Sequence, residues 1–258
     1  MIEQSIKDEI MKRIKNAESE YGVKVLYAVE SGSRAWGFES PNSDYDVRFI
    51  YAHPKDWYVS VDLEEKRDVI EYEIVDEIDI SGWDVRKALR LFWKSNPSFV
   101  EWLQSPIIYI ERGCFAEKAR NLMAQIYSVE KGIYHYRSMA KTNYRGYLRE
   151  ERVLLKKYFY VLRPLLSIMW LEKYFEPAPI EFERLRTLIA DNKRLDNCIG
   201  ELLEKKKRSL EKELASPILE INHFIESELR RLEKYNNHPG SRIKDMSILN
   251  TLFHEAIS

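Results

Sequence analysis

The residues best equipped for chemistry lie between positions 29 and 51, in the stretch VESGSRAWGFESPNSDYDVRFIY. Asp44 and Asp46 open a run rich in β-branched and aromatic residues, and in a strand two residues apart share one face. Adjacent carboxylates repel unless a cation joins them or one is protonated. Oxygen donors of this kind suit Mg²⁺, with Mn²⁺ as a substitute, because Mg²⁺ takes one or two carboxylates plus substrate phosphates. Upstream, across ten intervening residues, Gly32 leaves room for a phosphate to approach the backbone, and Ser33 offers a hydroxyl and an N–H. A phosphate cradle beside an Asp-x-Asp pair supplies the parts of two-metal nucleotidyl transfer. A third carboxylate is Asp79, flanked by Ile78 and Ile80, or else Asp84, which also reads as a first-turn helix-dipole partner.

Further cationic candidates surround this stretch. Arg34 follows Gly-Ser directly and either reaches a phosphate or serves as a loop arginine; Lys87 either joins the site or pairs with Asp84. Between Lys131 and Arg163 nine basic residues face two acidic ones, a local excess of seven in a chain whose total is −1. Six of the sixteen tyrosines fall in the same segment. On one continuous helix, seven of those basic residues share an arc of about 120°, with Gly146 as a possible interruption. A basic, aromatic face holds phosphates by charge and stacks bases on rings.

These residues need positioning elements. Ile6, Ile10, Ile14 and Ala17 recur at helical spacing over residues 2–20, ended by Gly22. Strands are predicted at 23–30 and 45–52, and residues 67–80 read as a bent strand or a short hairpin. Ser81 is the predicted N-cap of the next helix, which ends before Asn96-Pro97. Helices follow at 115–127, 131–148, 150–174, 180–190, 195–212, 216–236 and 243–256, with Pro177, Pro179 and the Asn236–Gly240 run as punctuation. The resulting fold class is α+β: a small α/β module over residues 1–112, then an all-helical module over 113–258. The mixed-charge run at 204–213 (EKKKRSLEKE) reads as a solvated helix face.

Composition narrows the class. The chain has 258 residues, 45% hydrophobic and 32% charged, which excludes long disorder. Its charge balance predicts no bulk attraction to nucleic acid or acidic membranes, so any basic site is local. Cys114 and Cys198 follow no metal-ligand spacing and predict a reducing, cytoplasmic setting. A charged, helix-patterned start is unlike a signal peptide, and no apolar run reaches membrane-spanning length.

The order strand, Gly-Ser, ten-residue loop, Asp-x-Asp, strand resembles the DNA polymerase β-type nucleotidyltransferase superfamily. Longer strings, SGSRAWGFESPNSDYDVRFIY, DISGWDVRKALRLFWKSNPSFVEWLQSP, YHYRSMA and LLKKYFYVLRPLLSIMW, are similar to the YcgL-type predicted nucleotidyltransferases, including their RNA-repair-associated branch. The resemblance implies a mixed-sheet nucleotidyltransferase fold in the first module, with Asp44, Asp46 and Asp79 as Mg²⁺ ligands and Gly32 and Ser33 holding the triphosphate of an NTP, ATP favoured. It also implies transfer of a nucleoside monophosphate to a hydroxyl, an RNA 3′ end favoured, with a protein or small-molecule hydroxyl as the alternative acceptor. A non-catalytic nucleotide sensor is the remaining alternative. Some RNA-tailing members grip the triphosphate with a helical-domain His, Lys and Tyr, and His135, Lys156, Lys157 and Tyr160 follow a similar order here. No membrane partner is expected, and the sequence leaves the oligomeric state open.

Overall fold

The computed structural model describes residues 2–208, 214–234 and 245–258. The Asn236–Gly240 punctuation, part of the 204–213 charge run and the edges of the last helices predicted from the sequence lie outside these residues. Helix α1 (Gln4–Tyr21) buries Ile10, Ile14 and Ala17, as its periodicity predicts, and stops at Gly22, whose φ of 61° is left-handed. Strand β1 (Lys24–Glu30) is buried along nearly its whole length because it lies inside the sheet. A short helix α2 (Gly32–Trp36) follows, and β2 (Tyr45–Ala52) runs back antiparallel to β1.

Helix α3 (Lys55–Tyr58) and a 3₁₀ turn lead to β3 (Val69–Glu71) and β4 (Ile78–Asp84), an antiparallel pair, so the 67–80 segment resolves as a hairpin. β4 pairs parallel with β2, and β5 (Ile108–Glu111) closes the other edge in the order β3-β4-β2-β1-β5. The predicted N-cap at Ser81 is corrected here. β4 continues three residues further, because its alternate residues down to Asp84 are buried, and Asp84 caps α4 (Val85–Trp93) by accepting from the Arg86 N–H at 2.8 Å.

Two cores meet behind this sheet. Helices α4, α5 (Pro97–Leu103), α6 (Phe115–Ile126) and α12 (Ser247–Ala256) pack against one face of the sheet through Leu26, Phe92, Phe99, Phe115 and Leu252. Helices α7 (Val129–Tyr147), α8 (Lys156–Tyr174), α9 (Phe182–Arg186), α10 (Lys193–Arg208) and α11 (Leu219–Glu233) build the second. The helix predicted over 150–174 begins only at Lys156. Val153 and Leu154 instead form β6, paired with Leu214–Ala215 (β7), which buries Val153.

α7 ends at Tyr147, one residue past Gly146, so the proposed single basic arc is broken into two helices. Arg163 leaves the arc altogether: it is buried, 2.6 Å from the Glu101 carboxylate. Phe38, from the loop after β1, inserts into the helical core and stacks on Phe159 at 4.6 Å between ring centroids.

Candidate active site

The loop between β1 and β2 is fixed at both ends by its own backbone and by side chains from far along the chain. The Ser31 N–H donates to the Asp46 carbonyl at 2.8 Å. Gly32 then adopts φ 58°, and a Cβ there would lie 1.8 Å from Asp46 Oδ2. Glycine is therefore required twice, for the left-handed backbone and for the close approach of the carboxylate. The space at Gly32, predicted to admit a phosphate, is taken up by Asp46.

Further along, Ser40 and Ser43 close a tight turn, the Ser43 N–H donating to the Ser40 carbonyl. Arg34 donates to the carbonyls of Ser43 (2.7 Å) and Asp44 (3.3 Å) and lies over the Tyr45 ring. Of its two predicted roles, the loop-bracing one matches these contacts. From α10, Lys206 reaches into the turn, its Nζ donating to Ser40 Oγ at 2.8 Å and Ser43 Oγ at 3.3 Å, while only 4% exposed. The solvated-face reading of the 204–213 run is thus corrected at Lys206: the helix docks and turns this lysine inward.

Ser33, Trp36, Asp44 and Asp46 line one side of a cleft, and Lys156, Tyr160 and Lys206 from the helical core line another. Two of the four helical candidates are therefore at the site. Lys157 instead lies over the Tyr147 ring at 3.9 Å, and His135 is beside Tyr134; neither lines the cleft. Lys87 pairs with Asp68 at 2.8 Å.

The two candidate third carboxylates separate cleanly. Asp79 is the register partner of Asp46 across the parallel β2–β4 ladder, whereas Asp84 partners Tyr51, five residues further along. At strand spacing that is about 17 Å away. Asp84 is buried, its oxygens taken by the Tyr58 hydroxyl at 2.6 Å and the Arg86 N–H, and burial pushes its pKa up.

Asp46 and Asp79 are both partly exposed and share one cation. Arg48 Nη2 lies 3.2 Å from Asp46 Oδ1 and 2.7 Å from Asp79 Oδ2. Behind them, the buried Glu30 accepts from the Asp46 N–H at 3.0 Å and from the Tyr109 hydroxyl at 2.6 Å. Burial raises its pKa to about 7. Glu30 and Arg48 carry no signal in the motif beyond an acid ending an apolar strand and an arginine on the Asp46 face.

Among the described residues no group of three His, Cys, Asp or Glu side chains is arranged to hold a metal ion. The donor chemistry nevertheless fits a hard divalent ion: Asp44 and Asp46 share the cleft, and Asp46 and Asp79 already share a positive charge. No helix among the described residues is long and apolar enough to cross a membrane.

The chain is 47% identical over 242 residues to the uncharacterized protein YcgL of Bacillus subtilis (strain 168), covering 94% of this chain and 92% of that protein. A solved nucleotidyltransferase-like protein from Exiguobacterium sibiricum 255-15 aligns over 94% of this chain and 87% of its own, at 13% identity and a TM-score of 0.31, too low to carry an argument. The model of the RlaP family, described as the RNA repair pathway DNA polymerase beta family, matches residues 6–255, and the chain belongs to this family of polymerase β-type nucleotidyltransferases.

Proposed function

We propose that this nucleotidyltransferase moves a nucleoside monophosphate from a Mg²⁺-bound NTP, ATP favoured, to the 3′ hydroxyl of an RNA. One observation carries the reading: paired aspartates and two lysines from a separate helical core line one cleft. Asp44, Asp46 and Asp79 are assigned as the ligands of two Mg²⁺ ions, with Mn²⁺ able to substitute. Bound there, such ions offset phosphate charge and lower the pKa of an attacking hydroxyl.

The chain's own groups divide the remaining work. Lys156 and Lys206 neutralise the triphosphate from the helical side, and Ser33 donates to it from the loop. Tyr160, edge-on to Trp36 at 5.8 Å, offers its ring to the base. Asp79 orients the acceptor hydroxyl. The new bond joins that oxygen to the α-phosphorus, the bond to the β-phosphate oxygen breaks, and pyrophosphate leaves.

The RNA acceptor is supported by the family's description and by Arg137, Lys141 and Arg145 on α7, which shares its helical core with the helix that holds Lys156. In this reading residues 1–112 hold the catalytic carboxylates and residues 113–258 close the nucleotide and acceptor sites.

The test is transfer of label from each α-phosphate-labelled NTP to total cellular RNA with Mg²⁺, beside an Asp44→Asn, Asp46→Asn protein. Label in RNA that the double variant abolishes is the expected result. Label in protein or a small product would replace the acceptor, and ATP binding with no transfer to any acceptor would favour a sensor.

A further inference from the structure

Arg48 follows Asp46 by two residues and so projects from the same face of β2. Its guanidinium divides its hydrogen bonds between two kinds of oxygen. Nη1 donates to the main-chain carbonyls of Val47 (3.0 Å) and Asp79 (2.9 Å). Nη2 goes to the carboxylates, Asp46 Oδ1 and Asp79 Oδ2. The other Asp46 oxygen, Oδ2, lies against Gly32, so Oδ1 is the oxygen turned toward Asp79.

We propose that Arg48 Nη2 and a divalent ion compete for Asp46 Oδ1 and Asp79 Oδ2, which makes Arg48 an exchangeable counter-cation of the carboxylate pair. The inference rests on the assignment of Asp46 and Asp79 as metal ligands under the proposed function. Two cations do not share the same oxygens without strong mutual repulsion, so ion entry moves Nη2 off the carboxylates. Nη1 keeps the arginine tethered through carbonyls that take no part in the exchange. The displaced guanidinium then finds its best new partner in a phosphate, where planar N–H pairs bind well. Ion and triphosphate therefore bind cooperatively, each taking one half of a pre-existing ion pair.

The test measures free Mn²⁺ by electron paramagnetic resonance, with and without a non-hydrolysable α,β-methylene ATP. Wild-type protein is expected to bind Mn²⁺ about tenfold more tightly with the analogue present. Arg48→Gln is expected to bind Mn²⁺ alone about tenfold more tightly than wild type and to lose most of that coupling. Arg48→Lys keeps the charge but lacks the two-armed fork, and should fall between; it carries the test if the glutamine variant does not fold.

Equal Mn²⁺ affinity in wild type and the arginine variants, with Asp46→Asn abolishing binding, would overturn the competition and leave the metal site standing. Undiminished Mn²⁺ binding by Asp46→Asn would overturn the site assignment itself, and the competition with it.

Discussion

Asp79 and Asp84 lie on one strand, five residues apart, and could hardly differ more. Asp84 is closed: both oxygens are accounted for by Tyr58 and Arg86, and its carboxylate ends the strand and starts a helix. Asp79 is open: its side chain is 30% exposed and, among the described residues, its ion-pair partner is Arg48, shared with Asp46. A carboxylate saturated by hydrogen bonds inside a core stabilises a fold, and one held by a shared cation at a partly exposed position can exchange that cation for another. Under the proposed function, the same residue type on the same ladder serves architecture at one end and chemistry at the other.

The sharpest way to break this contrast is Asp79→Asn. Transfer activity should fall about 10³-fold, measured as kcat on labelled NTP, while the melting temperature moves by only about 2 °C. An unimpaired variant would remove Asp79 from the chemistry.

Gly32→Ala tests what keeps the chemical end open. Its methyl group would collide with Asp46 Oδ2 at a left-handed backbone position. Misplacing that carboxylate by about 1 Å should cost about 10²-fold in kcat. Circular dichroism would check that the fold survives.

Asp84→Ala is the mirror experiment. It removes a helix cap and the acceptor of a buried hydroxyl, which should cost about 2 kcal/mol, seen as a lowered denaturant midpoint, with kcat within a few-fold of wild type.

The smallest effect concerns His53, whose main-chain N–H donates to the same Tyr58 hydroxyl and whose ring stacks on Trp57 at 4.0 Å. Burial, with Lys66 adding to it, lowers its pKa from the ordinary 6.5 to about 4. The unfolded chain thus takes up a proton near 6.5 that the folded chain accepts only near 4. This contribution to stability is complete above pH 6.5 and declines as pH falls through that window. Wild type should lose more melting temperature between about pH 7 and 5 than His53→Phe, which keeps the stack.

What the sequence made legible follows the range of the interactions. The strands on either side of the motif are local patterns and stand where spacing predicts, whereas Gly32 and Ser33 open the short helix α2 in place of a plain loop and Asp44 lies one residue before β2. The strand end was misplaced at Ser81 because nothing local distinguishes a serine cap from a strand that continues to a buried Asp84. Lys206 was invisible for a different reason. Within EKKKR its chemistry equals that of its neighbours, and only docking of α10 against a turn more than 160 residues earlier singles it out. Glu30 and Arg48 sit within the motif itself, but their partners on β5 and β4 come from strand pairing, which local spacing does not encode.

Phe38 has a consequence for how this enzyme can be taken apart. It belongs to the stretch between Gly-Ser and Asp-x-Asp, yet its ring is stacked among Phe159 and Phe182 in the other core. Cutting the chain after the sheet would strip the ring of its socket and leave the loop between β1 and β2 with an unburied aromatic anchor. The carboxylate-bearing half is therefore not a portable cassette. Grafted onto another partner it would keep its aspartates and lose the ring contacts that anchor the loop, so recombination at this boundary must carry the socket along with the sheet.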